Sequence, residues 1–174
     1  FIDDKRETQL ANLLDEQLWE TVGRGRVQNY GYQFEYTAEG AVNRDEFVEP
    51  PEFLQELCSE LVERAVFETS PECLIINEYL PGQGILPHVD VADQFGPKVA
   101  TLSLLSPFAM LFICEAERKK RGNLILEPRC LVTLEGESRY EWRHWIRAKI
   151  TDTIDGKIRE RTRRVSISFR NVKS

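Results

Sequence analysis

The sequence predicts a mainly β domain of jelly-roll or barrel type, with its helices confined to the first third of the chain. Three observations carry this. A length of 174 residues suits a single domain built on one core. From Cys73 onward, short apolar and β-branched runs alternate with turn residues, eight runs in about 100 residues. Before that point, two stretches repeat apolar residues at helical spacing instead.

In chain order, Leu10, Leu13, Leu14 and Leu18 follow Asp3 and Asp4, which can cap the first turn of an amphipathic helix. The run Tyr30-Gly31-Tyr32-Gln33-Phe34-Glu35-Tyr36 places aromatics at every second position, the period of a strand with one aromatic face. Phe53, Leu54, Leu57, Leu61, Val62 and Ala65 form a second helical stripe after Pro50-Pro51, with Pro51 suited to a first helical turn. Strands are expected at 73–79, 85–91, 99–105, 109–114, 123–126, 130–134, 144–150 and 163–172. Pro81-Gly82, Gly96-Pro97, Arg121-Gly122 and Glu135-Gly136 punctuate them. The Pro81-Gly82 turn suggests that the strands on either side of it are neighbours, although Gln83-Gly84 lengthens the loop beyond a tight hairpin. Neither an internal repeat nor a linker interrupts the chain, so 1–174 reads as one domain with its change of texture between 72 and 73.

Composition excludes several classes. Hydrophobic residues make up 41% and charged residues 30%, too apolar for disorder, and no run approaches the ~20 apolar residues of a membrane helix. The first residues lack the layout of a signal peptide, and a start at Phe1 instead of Met is expected of a trimmed chain or a fragment. Cys58, Cys73, Cys114 and Cys130 have apolar neighbours and no C-x-x-C pairing, so they read as buried free thiols of an intracellular protein, cytoplasmic or nuclear. The net charge of -6 conceals an asymmetry: residues 1–87 carry 6 Lys+Arg against 18 Asp+Glu, residues 88–174 carry 17 against 11. The acidic total argues against coating nucleic acid nonspecifically, while a local basic surface can still bind a few phosphates.

Only two histidines are present. In Ile85-Leu86-Pro87-His88-Val89-Asp90-Val91, a strand would turn His88 and Asp90 to one side. His144 could add a third ligand, and two His with one carboxylate match the facial triad of non-haem Fe(II) oxygenases. Taken alone, His-x-Asp is a weak signal that a structural His–Asp hydrogen bond explains better, by roughly two to one. In Arg163-Arg164-Val165-Ser166-Ile167-Ser168-Phe169-Arg170, positions 164, 166, 168 and 170 form a polar face suited to an anion, because the guanidinium pairs bidentately with carboxylates. The competing reading is a solvated edge strand guarded by its arginines. Asn77 and Tyr79 share a further strand face.

Taken together, Asn77-Glu78-Tyr79 with Pro81-Gly82, His88-Val89-Asp90, Gly136-Glu137-Ser138-Arg139-Tyr140 leading to His144, and Arg164-x-x-x-x-x-Arg170 resemble the AlkB family of Fe(II)- and 2-oxoglutarate-dependent dioxygenases. The resemblance implies a double-stranded β-helix core at 73–174, with 1–72 as a helical and substrate-lid extension packed on one sheet. It implies Fe(II), 2-oxoglutarate and O2, with His88, Asp90 and His144 as iron ligands. Arg164 and Tyr79 would hold the distal carboxylate of 2-oxoglutarate, Asn77 and Arg170 would lie at its chelating end, and Ser166 would touch it. Arg26-Val27-Gln28-Asn29-Tyr30-Gly31-Tyr32 matches the lid, which makes Arg26, Tyr30 and Tyr32 candidates for substrate contact beside Arg139 and Ala92. The implied partner is nucleic acid, RNA or single-stranded, and the reaction hydroxylation or demethylation of an alkylated base. A transfer RNA wobble uridine, or a protein or lipid substrate, is the alternative. Arg24, Arg118, Lys119, Lys120 and Arg121 are further candidate phosphate contacts. The chain departs from the family pattern at Trp145, where Gly is usual, and at Ala92, where repair members carry a second Asp.

Overall fold

The computed structural model describes residues 1–35 and 41–173, so Tyr36 lies outside the described residues. Helix α1 (Asp4–Asp15) begins where the Asp3 carboxylate accepts the Arg6 amide at 2.8 Å. Leu10 and Leu14 are buried, but the helix stops before Leu18, which is 93% exposed. Strands β1 (Glu20–Val22), β2 (Gly25–Glu35) and β3 (Ala41–Val48) follow, and then helix α2 (Glu52–Glu63). Pro51 occupies the N-cap of α2 with an extended ψ of 154°, one residue ahead of the first turn.

The remaining chain forms β4 (Cys73–Tyr79), β5 (Ile85–His88), β6 (Phe95–Leu104), β7 (Phe108–Cys114), β8 (Arg121–Leu126) and β9 (Leu131–Glu135). After them come α3 (Glu137–Tyr140), β10 (Trp142–Ile146), β11 (Thr151–Ile154), β12 (Lys157–Glu160) and β13 (Arg164–Val172). A seven-stranded sheet runs in the order β1-β2-β4-β13-β6-β9, with β3 on β2; a four-stranded sheet runs β5-β10-β7-β8; β11 and β12 form a separate hairpin. All pairs are antiparallel. The two larger sheets make the jelly roll that the strand count implies.

One side of the large sheet is sealed by the helices. Leu10, Leu14, Leu54, Leu57 and Leu61 pack against Leu74, Ile76, Leu102, Val165, Ile167 and Phe169 in a single buried cluster. The other side faces the small sheet. β13 lies between β4 and β6 and is buried along Arg164–Arg170, which rules out a solvated edge strand.

Four expectations need correction. β4 and β5 are not neighbours: β4 pairs with β2 and β13, whereas β5 pairs with β10, because the Pro81-Gly82 loop carries the chain from one sheet to the other. β5 ends at His88, short of Asp90. The single aromatic face of β2 is split at Gly31, whose φ of 75° and close approach to the Glu72 carbonyl admit no Cβ. Tyr30 therefore packs on the helical cluster and Tyr32 with Phe34 on the opposite one. The β11–β12 hairpin escapes apolar periodicity, although its Asp155-Gly156 turn, φ 52° and 73°, is a strong hairpin signal. All four cysteines are free, Cys130 only half-buried. Among the described residues no helix is long and apolar enough to cross a membrane.

Candidate active site

The inner face of β13 supplies Arg164, Ser166, Ser168 and Arg170 to a cavity between the two sheets. Register sets the rest: Arg164 pairs with Tyr79 and Ser166 with Asn77 on one side, and Ser166 with Ser103 and Ser168 with Thr101 on the other. A polar strip thus crosses three strands of the large sheet. Met110, Leu126, Val132 and Ile146 form an apolar wall around it.

At one end of the strip, His88 on β5 and His144 on β10 are directly opposed, with ring centroids 4.4 Å apart. Asp90 reaches them from the loop after β5, so one ligand atom from each of the three lies within 4.8 Å of the others. The Nδ1 of His88 is 2.8 Å from the Leu86 carbonyl oxygen, and a proton shared there leaves Nε2 as the ligand. Arg170 donates to Oδ1 of Asp90 from Nε at 2.9 Å and from Nη2 at 2.6 Å. Oδ2 is left on the histidine side, 3.7 Å from Nε2 of His144.

The electrostatics suit a metal. Burial opposes ionisation of Asp90, but Arg170 and the two histidines outweigh it and hold the carboxyl down at about 2. Burial, with His88 beside it, pushes His144 down to about 4. At neutral pH the pair is a carboxylate and a neutral imidazole, the forms that coordinate a cation. His88 and Asp90 do not act from one strand face, because the strand has ended. The Asp90 backbone is fixed instead by Arg139, whose Nη1 and Nη2 donate to the carbonyls of Asp90 at 2.6 Å and Val91 at 3.4 Å.

At the other end, Arg164 is 1% exposed. Its Nη2 donates to Ser103 Oγ at 2.8 Å, its guanidinium lies 5.3 Å from the Tyr79 ring, and its Nε is buried without a hydrogen-bond partner. Burial lowers the pKa of this group, as expected of a charge without a carboxylate beside it. A buried guanidinium of this kind calls for an anionic guest. The described residues therefore fit both Fe(II) and 2-oxoglutarate: N and O donors at one end, an unsatisfied cation at the other. Ser103 and Thr101 are site residues that the motifs above do not contain, although polar residues at alternate positions in Val99-Ala100-Thr101-Leu102-Ser103 mark them.

None of the five expected substrate contacts lines this cavity. Arg26 is on the helical side of the sheet, bound to the Glu78 carboxylate at 2.7 and 2.6 Å. Tyr30 packs among the helices, and Tyr32 meets Phe47 edge-on at 5.2 Å. Arg139, 1% exposed, is engaged behind the metal loop. Ala92 is exposed in the turn that follows Val91, since the strand that would have aimed it inward is absent. Trp145 points away from His144 on the outer face of the small sheet, where it lines a groove with Arg118, Arg121 and Arg143.

Comparison with known proteins identifies the family and the fold. The family model for the 2OG-Fe(II) oxygenase superfamily matches residues 8–170. An uncharacterized mimivirus protein, L905, is 29% identical over 99% of this chain and 81% of its own length. An Arabidopsis thaliana protein named an alkylated DNA repair protein ALKBH8 homolog is 30% identical over the whole of this chain but only 57% of its own. The Xenopus tropicalis tRNA (carboxymethyluridine(34)-5-O)-methyltransferase alkbh8 is 32% identical over 85% of this chain and 26% of its own. This chain thus spans little more than half of the plant relative and about a quarter of the frog one. Among solved structures, OsALKBH1 superposes with a TM-score of 0.70 at 16% identity, covering 98% of this chain and 94% of that one.

Proposed function

We propose that this chain, which belongs to the 2OG-Fe(II) oxygenase superfamily and is AlkB-like within it, hydroxylates an alkyl substituent on a base of nucleic acid, RNA in preference to DNA. It is a 2-oxoglutarate-dependent dioxygenase, and its cofactors are Fe(II), 2-oxoglutarate and O2. His88, Asp90 and His144 hold the iron, and Arg164 with Ser103 and Tyr79 holds the far carboxylate of 2-oxoglutarate. Asn77 and Ser166 border the cosubstrate between them. When bound, the iron with 2-oxoglutarate and O2 supplies oxidation of a C–H bond, 2-oxoglutarate leaving as succinate and CO2. The chain's own share is to keep Asp90 ionised through Arg170, to keep His144 unprotonated by burial, and to exclude water with the apolar wall. The single observation that carries this reading is the placement of the triad and the partnerless Arg164 Nε in one cavity.

The substrate class rests on the plant and frog relatives, whose names place those proteins on alkylated DNA and on a uridine of tRNA. Hydroxylation leaves a stable alcohol on a carbon-linked substituent and releases formaldehyde from a nitrogen-linked methyl. The cavity favours neutral over cationic bases. Asp90 is its only carboxylate among the described lining residues, and Arg170 and the iron ligation engage it. A positively charged N1-methyladenine would therefore find no free carboxylate to offset its charge. A neutral modified uridine, such as a wobble uridine, needs none.

Mass spectrometry of nucleosides from transfer RNA, messenger RNA and DNA incubated with the chain, Fe(II), 2-oxoglutarate and O2 tests both points. A gain of 16 Da or the loss of a methyl from a neutral base is expected. Turnover of N1-methyladenine at an equal or greater rate would refute the neutral pocket, and unchanged nucleosides in all three pools would refute the substrate class.

A further inference from the structure

On β10 the pleat sends His144 and Ile146 into the cavity and Arg143 and Trp145 out of the opposite face. Next to them, Ile113 of β7 and Pro87 of β5 continue an apolar floor, the loop before β8 brings in Arg118, and the first residue of β8 brings in Arg121. Arg143 is paired with Glu115. Arg121 Nε reaches only the Arg118 carbonyl, at 3.4 Å, and both side chains are exposed at the rim. The groove is therefore a half-buried indole on an aliphatic floor, edged by three guanidinium groups and one carboxylate.

We propose that this outer groove of the small sheet is a docking surface for a single-stranded nucleic acid, Trp145 stacking on a base and Arg118 and Arg121 taking successive phosphates. The proposal rests on the nucleic-acid reading above and adds where the strand lies. Charge complementarity selects the occupant. On the helical side, one pocket holds Glu52, Glu56, Glu60 and Glu63 against Arg64, with Glu60 paired to Arg6 and Arg64, a net negative lining that disfavours a polyanion, whereas the three arginines against Glu115 here favour one. An aromatic ring sharing a groove with exposed guanidinium groups is also the combination that grips single strands without reading their sequence. Pro87 is adjacent to His88 on the edge strand β5, so a chain held in the groove needs only to round that edge to present a base to the cavity.

Fluorescence anisotropy of a labelled, mixed-sequence 12-nucleotide RNA titrated with the iron-loaded chain tests this across a range of salt concentrations. Reversing charge in Arg118→Glu/Arg121→Glu is expected to weaken binding at least tenfold and to reduce the slope of log affinity against log salt by about 1.4, roughly 0.7 for each phosphate no longer neutralised. Trp145→Ala is expected to weaken binding about 5–10-fold with the slope unchanged, and Trp145→Phe to restore most of it. Melting temperatures serve as the folding control. Affinity and slope equal to wild type in the double variant and in Trp145→Ala would overturn the proposal, as would tighter binding of polyglutamate than of RNA to the wild-type groove. The two readings fail separately. Modified nucleosides formed by a chain whose groove variants bind RNA normally remove the docking surface alone. Weakened RNA binding by those variants, in a chain that alters no nucleoside, supports the surface and removes the substrate reading alone.

Discussion

Among the described residues, the large sheet is covered by helices on one side and by the small sheet across the cavity on the other, whereas the small sheet is covered on one side only, and the parts of the site divide accordingly. The anion end, Arg164 with Ser103 and Tyr79, sits wholly on the large sheet, where β13 is buried on both faces. Both histidines come from the small sheet. Asp90 belongs to neither, being on the loop that leaves β5 for β6, and its carboxylate is tied to Arg170 of the large sheet. That ion pair is a joint between the loop leaving the small sheet and the large sheet, beside the two histidines. The buried Arg164 end of the cavity and the histidine end are thus linked through one buried carboxylate.

The largest expected effect strikes this joint. Asp90→Ala removes a metal ligand and leaves Arg170 buried without its carboxylate, so it should abolish iron-dependent succinate formation and also cost about 3–5 kcal/mol of stability. His88→Ala should abolish the same activity while leaving the melting temperature almost unchanged, since His88 is only half-buried and bonds a neighbouring carbonyl. Denaturant melts of both variants check this, and equal destabilisation would show that the sheets are not joined through Arg170.

Next in size are core truncations that separate the covered face from the bare one. Ile167→Ala, beneath the helices, should cost about 2–5 kcal/mol without altering iron affinity, whereas Ile113→Ala on the outer face of the small sheet should cost less than about 1 kcal/mol. Urea melts and iron titrations of the two variants check the pair.

A smaller effect is expected from pH on the metal-free chain. His144 has a folded pKa of about 4 against an ordinary 6.5, so as pH falls the unfolded chain takes up its proton first. Stability present above pH 6.5 is therefore lost between pH 6.5 and 4, by at most about 3.4 kcal/mol at ~1.36 kcal/mol per unit. Asp90 works in a separate window: its lowered pKa stabilises the fold above 3.8, and that contribution disappears only as pH falls toward about 2. Urea titrations at stepped pH should show the upper slope in the wild type and lose it in His144→Asn.

Much of this division is legible in the sequence. Period-two alternation in Arg164–Arg170 separates a helix-facing from a cavity-facing set, and every member lands where the pleat sends it, because a central strand leaves no freedom for either face. His88, Asp90 and His144 converge as their spacing suggests, although the reason for Asp90 is a loop fixed by Arg139 and not a shared strand face. The substrate contacts are least legible. Arg26, Tyr30 and Tyr32 depend on which side of β2 faces the cavity, and a single left-handed glycine, Gly31, reverses that assignment partway along the strand. Arg139 reads in sequence as a candidate substrate contact, whereas in the fold it is buried and donates to the Asp90 and Val91 carbonyls.

Arg164 as the anion socket, facing a metal at the other end of the same cavity, is the assignment on which the chemistry most directly depends. Anaerobic calorimetric titration of 2-oxoglutarate into the Fe(II)-loaded chain measures it. One molecule per chain is expected, with affinity reduced roughly 100-fold or more in Arg164→Ala, corresponding to about 3–5 kcal/mol for a buried carboxylate deprived of its partner. Unchanged affinity in Arg164→Ala would place the 2-oxoglutarate site elsewhere and contradict the assignment.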